Sequence, residues 1–233
     1  MTPLVEAKGV DAGYGGVAAV RDLDLHVAPG EIVALLGPNG AGKTTTLLTL
    51  AGALKPIKGT ISIDGRPTKA PLHRRAKRGL SIVTEERSVF MGLTTSANLR
   101  LGQGDPGRAV ALFPELEPLL HRKAGQMSGG EQQILTLARA LAAEPKVLLA
   151  DELSLGLAPL IVQRLLRAVR EAADRGVGVL LVEQHARQAL KLADRAYVLR
   201  RGKVELEGDA SDLLARLGDI ERTYLAGPVA GDE

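Results

Sequence analysis

Three groups of residues in this 233-residue chain have the types and spacing to handle a phosphorylated ligand. The first is Gly37-Pro38-Asn39-Gly40-Ala41-Gly42-Lys43-Thr44, followed by Thr45, which fits G-x-x-x-x-G-K-[ST] at every fixed position. Glycines let the backbone curl so that successive N–H groups point at phosphate oxygens. A helix opening at Thr45 adds the partial positive charge of its N-terminus. In this pattern Lys43 reaches the outer phosphates of a nucleoside triphosphate and the Thr44 hydroxyl holds magnesium. The second group is Ser128-Gly129-Gly130, where Ser128 suits an N-cap and the glycines leave N–H groups uncovered, a second anion-binding helix end. The third is Asp151-Glu152. Asp151 suits a magnesium partner opposite Thr44, and Glu152 suits a general base for the attacking water.

These groups need strands and helices to hold them. The apolar runs Ile32–Leu36 and Val147–Ala150 read as buried strands leading into the first and third groups. Ile134–Leu141 carries apolar residues at helical spacing after the second. The N-terminal part alternates short strands with glycine turns, and Gly59–Gly65 alternates like a half-exposed strand. Residues from about 88 to 142 read as helical, with breaks at Gly102-Gln103-Gly104 and Pro114. An amphipathic helix at 160–175, a buried strand at 177–182, a strand at 196–199, an Arg201-Gly202 turn and a closing helical segment complete the chain. Strands alternating with helices predict an α/β fold with a largely parallel sheet.

Length and a 45% hydrophobic composition suit one domain with a substantial core. Cysteine is absent, so disulfides and thiol chemistry are excluded. No apolar run reaches the ~20 residues that span a bilayer, and Met1-Thr2-Pro3 opens without a signal-peptide pattern. A cytoplasmic protein is expected, touching the membrane only through a partner. The densest basic cluster, His73-Arg74-Arg75 with Lys77 and Arg78, has no interleaved aromatics, so no nucleic-acid partner is expected. It reads as a solvated helix face, with acidic headgroups or a membrane partner as the minor option. Tyr14, in Gly13-Tyr14-Gly15-Gly16, is a candidate platform for a nucleotide base.

The order of the three groups resembles that of ATP-binding-cassette ATPases, from about Leu4 to the C-terminus. Gly37–Thr44 match Walker A, Met127–Gln132 the family signature and Val147–Glu152 Walker B. The resemblance implies a phosphate-loop NTPase of cassette type: a nucleotide-binding core (about 1–87 and 143–233), an antiparallel β subdomain and an inserted α-helical subdomain (about 88–142). It implies ATP and Mg2+ as ligands, with ATP held between Walker A of one subunit and Ser128-Gly129-Gly130 of another. With one Walker A and no internal repeat, a second cassette, identical or related, is required.

Some positions depart from the common family pattern. Glu85 stands where the usual metal-contacting glutamine falls, and a carboxylate can hold magnesium but cannot donate. The switch histidine belongs about ten residues before Ala193-Asp194-Arg195, which selects Gln184, with His185 one step later; both are candidates. Leu153 and Ala158 replace the common proline and aspartate after Walker B. With Glu85–Phe90, Ser154–Pro159 and Val182-Glu183-Gln184, the chain resembles one ATPase of branched-chain amino-acid importers. That implies two permease subunits, an extracytoplasmic binding protein and a peripheral position on the inner membrane face. An importer of another small solute such as urea or a short amide, or a soluble cassette ATPase, are the alternatives; a small-molecule kinase leaves the Ser-Gly-Gly helix unexplained.

Two substitutions separate binding from chemistry. Glu152→Gln lowers ATP turnover by roughly 10²–10⁴ with ATP affinity intact, whereas Lys43→Ala weakens triphosphate binding itself. Equilibrium nucleotide binding and phosphate release, measured on both, check the pair; full turnover in Glu152→Gln removes Glu152 from the role of base.

Overall fold

The computed structural model describes residues 2–86 and 88–218. Arg87 of the Glu85–Phe90 pattern and the end of the closing segment, 219–233, lie outside the described residues. In chain order the first elements are β1 (Val5–Tyr14), β2 (Val17–Val27), β3 (Ile32–Leu36), α1 (Lys43–Ala51), β4 (Lys58–Ile63), β5 (Arg66–Pro67), α2 (Leu72–Ala76) and β6 (Leu80–Val83). Next come α3 (Thr95–Arg100), α4 (Pro106–Leu112), two 3-10 turns and α5 (Gly129–Ala142). The chain continues through β7 (Val147–Asp151), α6 (Pro159–Asp174), β8 (Gly178–Glu183), α7 (Ala186–Leu192), β9 (Arg195–Arg200), β10 (Lys203–Asp209) and α8 (Ala210–Ala215).

Two sheets result. The larger has the order β10-β9-β3-β8-β7-β6, parallel except for β10 at one edge. Its strands β3, β7 and β8 are buried along their whole length, as parallel strands covered on both faces are. The smaller sheet is antiparallel, order β2-β1-β4-β5. Helix α1 lies between the two: Leu47 and Leu50 pack in one cluster with Val5 and Leu25 of the small sheet and Leu35 and Leu180 of the large one. The opposite face of the large sheet is covered by α5 and α6 through Leu135, Leu165 and Val169, and around β3 and β9 by α7 and α8. This is an α/β phosphate-loop cassette fold. Its parallel strands all end on one side, which is where sheets of this kind bind ligands.

Several expectations are refined. The first two strands are 10 and 11 residues long rather than short. β4 does not alternate: Lys58–Thr60 are exposed and Ile61–Ile63 buried, because the buried half pairs with β1 at Val5 and Ala7 while the exposed half meets its irregular stretch beyond Lys8. Between 88 and 142 the helices are shorter than expected, and residues 88–94 are not helical. There the buried Asn98 side chain substitutes for helix bonds, accepting from Phe90 N at 2.8 Å and donating to the carbonyls of Phe90 and Thr94, each at 3.1 Å. Pro114 opens a 3-10 turn, and Gly102–Gly104 separates α3 from α4. The Arg201-Gly202 turn is a hairpin with φ of 49° and 79°, joining β9 to β10 as the paired positive angles of a type I′ turn do.

The basic cluster is only partly a solvated face. His73, Arg74, Lys77 and Arg78 are exposed, but Arg75 is 2% exposed. Its guanidinium donates to the carbonyls of Ala70 (2.7 Å), Thr49 (3.1 Å) and Leu50 (2.6 Å). Two of these lie in the last turn of α1, where a positive charge is favoured; Thr49 O also accepts from Gly52 N at 3.1 Å, so Leu50 O and Ala70 O are the acceptors that depend on Arg75. Arg75→Ala therefore leaves buried acceptors unmet and costs about 2–3 kcal/mol of unfolding free energy. Arg75→Lys recovers only part, because an ammonium cannot reproduce the fork. Urea unfolding of the two variants checks the order.

Candidate functional site

β3 ends at Leu36 and the chain turns through residues 37–42 before α1 opens at Lys43. Gly42 sits at φ 105°, and a Cβ there would fall 2.5 Å from Val20 Cγ2, so only glycine lets the loop lie against β2. Within the loop Ala41 N donates to Pro38 O at 3.1 Å. Lys43 is buried, its Nζ donating to Gly37 O at 2.8 Å and Pro38 O at 3.2 Å. Burial pulls its pKa below the usual lysine value, opposed by Glu152, Asp151 and Glu183. The ammonium thus spans the loop like a strut, with acidic groups on its far side.

Three carboxylates come to the ends of β7 and β8. Asp151, at the tip of β7, accepts from Thr44 Oγ1 at 3.0 Å across 107 residues of sequence. Burial raises its pKa; the Thr44 bond and Lys43 lower it, and Glu152 and Glu85 raise it. Its other oxygen, Oδ1, is buried with no hydrogen-bond partner among the described residues. A hydroxyl, a carboxylate with an orphaned oxygen and the neighbouring Glu85 form an all-oxygen donor set that fits Mg2+. No cluster of three His, Cys, Asp or Glu side chains forms a self-contained cage among the described residues. Magnesium, which takes one or two carboxylates and completes its shell with phosphates and water, needs none.

Glu152 follows at φ 49°, left-handed for a residue with a side chain. Its N–H donates to Val182 O at 2.9 Å, and its Oε1 accepts from Gln184 Nε2 at 2.7 Å. Glu183, last residue of β8, is buried and accepts from Ser154 N (3.2 Å) and Ser154 Oγ (2.7 Å). Burial raises its pKa, and the two Ser154 bonds lower it.

Lys43, Thr44, Glu85, Glu152 and Gln184 line one cavity of about 410 Å³, within the range of small-ligand sites. Asn39, Gly40, Gly42, Lys43, Thr44 and Thr45 form one wall. Glu85, Glu152 and Gln184 form the other, and Ala19 of β2 closes one side. Gly37, Pro38 and Ala41 of the same loop do not line the cavity, and neither does Asp151, which is joined to it through its bond to Thr44. Ser128, Gly129 and Gly130 do not border the cavity. They start α5, where Ser128 Oγ accepts from Glu131 N and Glu131 accepts from Ser128 N, a capping box. Tyr14 is 57% exposed at the tip of the β1–β2 hairpin, also away from the cavity lining. His185 is exposed at the start of α7, and the cavity is lined by Gln184 instead. Sequence reasoning passed over Glu183 as a separate feature; a carboxylate closing an otherwise apolar buried strand was the available signal.

Comparison with known proteins bears on this arrangement. The family described as ABC transporter matches residues 20–154. The chain is 41% identical over 228 residues to the high-affinity branched-chain amino acid transport ATP-binding protein BraG of Pseudomonas aeruginosa, covering 94% of this chain and 97% of that one. It is 36% identical to the lipopolysaccharide export system ATP-binding protein LptB of Escherichia coli K12, covering 94% and 95%. Among solved structures it is similar to a dimeric ATP-binding cassette in a post-hydrolysis state bound to ADP and phosphate, with a TM-score of 0.78, 25% identity, and 88% and 98% of the two chains covered.

The contact between Gln184 and Glu152 ranks the two switch candidates. Gln184→Ala lowers ATP turnover by roughly tenfold, the scale of one lost charge-assisted hydrogen bond, and His185→Ala lowers it less. Steady-state turnover of the two variants checks this, and the opposite order transfers the role to His185.

Proposed function

Because this chain belongs to the ABC transporter family, we propose that it is the motor subunit of an importer for branched-chain amino acids. That it is an ATP-hydrolysing cassette coupled to transport follows from the family. The import of branched-chain amino acids is the finer reading. The observation that carries it is the near full-length similarity to BraG, supported by Glu85 and Gln184 at positions where that importer type carries them.

In this reading the loop 37–44 takes the phosphates on its amides, Lys43 shifts from its loop carbonyls to the outer phosphates, and Tyr14 stacks on adenine. Thr44, Asp151 and Glu85 would hold Mg2+, which when bound would supply positive charge to neutralise the phosphoryl oxygens. Glu152 accepts the proton of the attacking water, and Gln184 orients its carboxylate and donates toward the γ-phosphate. The core (about 1–87 and 143–233) carries all of these. Ser128-Gly129-Gly130, on the helical subdomain of about 88–142, serve the ATP bound to a second cassette. One helix terminus cannot clamp both sides of a triphosphate, so closure of two cassettes completes each site. Among the described residues no helix is long and apolar enough to cross a membrane. In this reading, which follows from the resemblance to importer ATPases, the chain works from the inner membrane face, through permease subunits that exchange cargo with an extracytoplasmic binding protein. ATP drives closure only by the difference in its affinity for the closed and open states.

A second reading, a motor for lipid export, is favoured by the similarity to LptB. Uptake of labelled leucine, isoleucine and valine by cells lacking this chain, then supplied with the parent or with Glu152→Gln, decides between them. Loss of uptake restored by the parent alone is the expected result. Unchanged uptake together with impaired delivery of lipopolysaccharide to the cell surface supports the export reading instead.

A further inference from the structure

Glu183 is a buried carboxylate to which the scheme above gives no role. It is 4% exposed, a costly place for a carboxylate unless its oxygens are met. Ser154 meets both, its hydroxyl donating to Oε2 at 2.7 Å and its N–H to Oε1 at 3.2 Å. The residues on either side of Glu183 reach the same stretch of chain. Val182 O accepts from Glu152 N at 2.9 Å, and Gln184 Nε2 donates to Glu152 Oε1 at 2.7 Å. Three successive residues at the end of β8 therefore hold the backbone of Glu152, its carboxylate and the residue two positions beyond it. Between these anchors the chain makes a tight turn, with Glu152 at φ 49° and Leu153 buried. The backbone bonds inside the turn are local, from Leu155 N to Glu152 O and from Leu157 N to Ser154 O, both 3.3 Å. Leu153 packs in one core cluster with Leu148, Ala150 and Leu181 of the sheet, and among the described residues the Glu183–Ser154 contact is the hydrogen-bonded tie of the turn to the sheet beyond Glu152.

We infer that Glu183 is a positioning residue for ATP hydrolysis: by gripping Ser154 it fixes the turn that holds Glu152 in its left-handed conformation and so aims its carboxylate. The inference rests on the reading of Glu152 as the base. The requirement is geometric. An amide at 183 still satisfies it, its oxygen accepting from Ser154 N–H and its NH2 donating to Ser154 Oγ. Threonine at 154 keeps the hydroxyl.

The test uses the full chain with Mg2+ and ATP. Ser154→Ala and Glu183→Ala lower kcat by roughly tenfold, the scale of a lost hydrogen bond to a charged group, while KM for ATP stays unchanged. The double variant is no slower than the worse single one, because both remove the same contact. Glu183→Gln and Ser154→Thr, which rebuild the contact, recover most of the rate. Ser154→Ala deletes only one oxygen, and its unfolding temperature shows that it is folded even where Glu183→Ala is not. Parental kcat in Ser154→Ala, additive losses in the double variant, or rates in Glu183→Gln and Ser154→Thr as low as in the alanine variants would each overturn the role. Glu152→Gln, measured alongside, separates the two readings. Full turnover there removes the base and this inference with it. Loss there, with Ser154→Ala unaffected, removes the positioning role alone.

Discussion

The governing constraint is electrostatic: acidic groups must sit at the same sheet edge that receives an anion. Parallel strands ending together make this unavoidable, since Asp151, Glu152 and Glu183 close or follow adjacent strands beside the phosphate loop. Each carboxylate is held by a different device. Asp151 accepts from Thr44, Glu152 from Gln184, and Glu183 from Ser154. Lys43 stands across from them, its lowered pKa the balance of burial against their charges. A buried polar group left without a partner costs on the order of 1–3 kcal/mol. Asp151 Oδ1, the buried carboxylate oxygen left without a partner among the described residues, is the atom that the proposed Mg2+ would satisfy.

That edge is held from behind. Helix α1 points its N-terminus at the phosphate loop and its C-terminal carbonyls at the guanidinium of Arg75. The turn between β9 and β10 is stitched to the loop as well: Gly202 N donates to Ala41 O at 3.1 Å, and Arg21 N to Gly202 O at 2.7 Å. Backbone amides that are to receive phosphates are thus set before any ligand arrives, and the ordering cost of binding falls accordingly.

What the sequence made legible was whatever is contiguous. The phosphate loop, the Ser128 cap and the Asp151-Glu152 strand end are each short runs whose chemistry is readable from residue type and order. The long-range contacts were not, because they join strands brought together by topology: Thr44 with Asp151, Gln184 with Glu152, Glu183 with Ser154. Spacing selects Gln184 but leaves His185, one position on, as a second candidate. The turn after β8 separates them, directing one side chain to Glu152 and the other to solvent. Arg75 shows the same limit in reverse, a basic residue in a basic run that reads as surface until α1 is packed over it. The uneven helices between 88 and 142 were hidden because Asn98, a side chain, supplies bonds that a backbone pattern assigns to a helix.

The left-handed backbone of Glu152 has a consequence of its own. A residue with a Cβ held at φ 49° carries a conformational penalty of roughly 1–2 kcal/mol that glycine would not. Selection for thermal robustness alone would therefore drift this position toward glycine and erase the carboxylate on the way. With Glu152 in its proposed role as base, the residue that such a drift cannot spare is the one under strain, and the chain's maximum stability and its maximum turnover belong to different sequences.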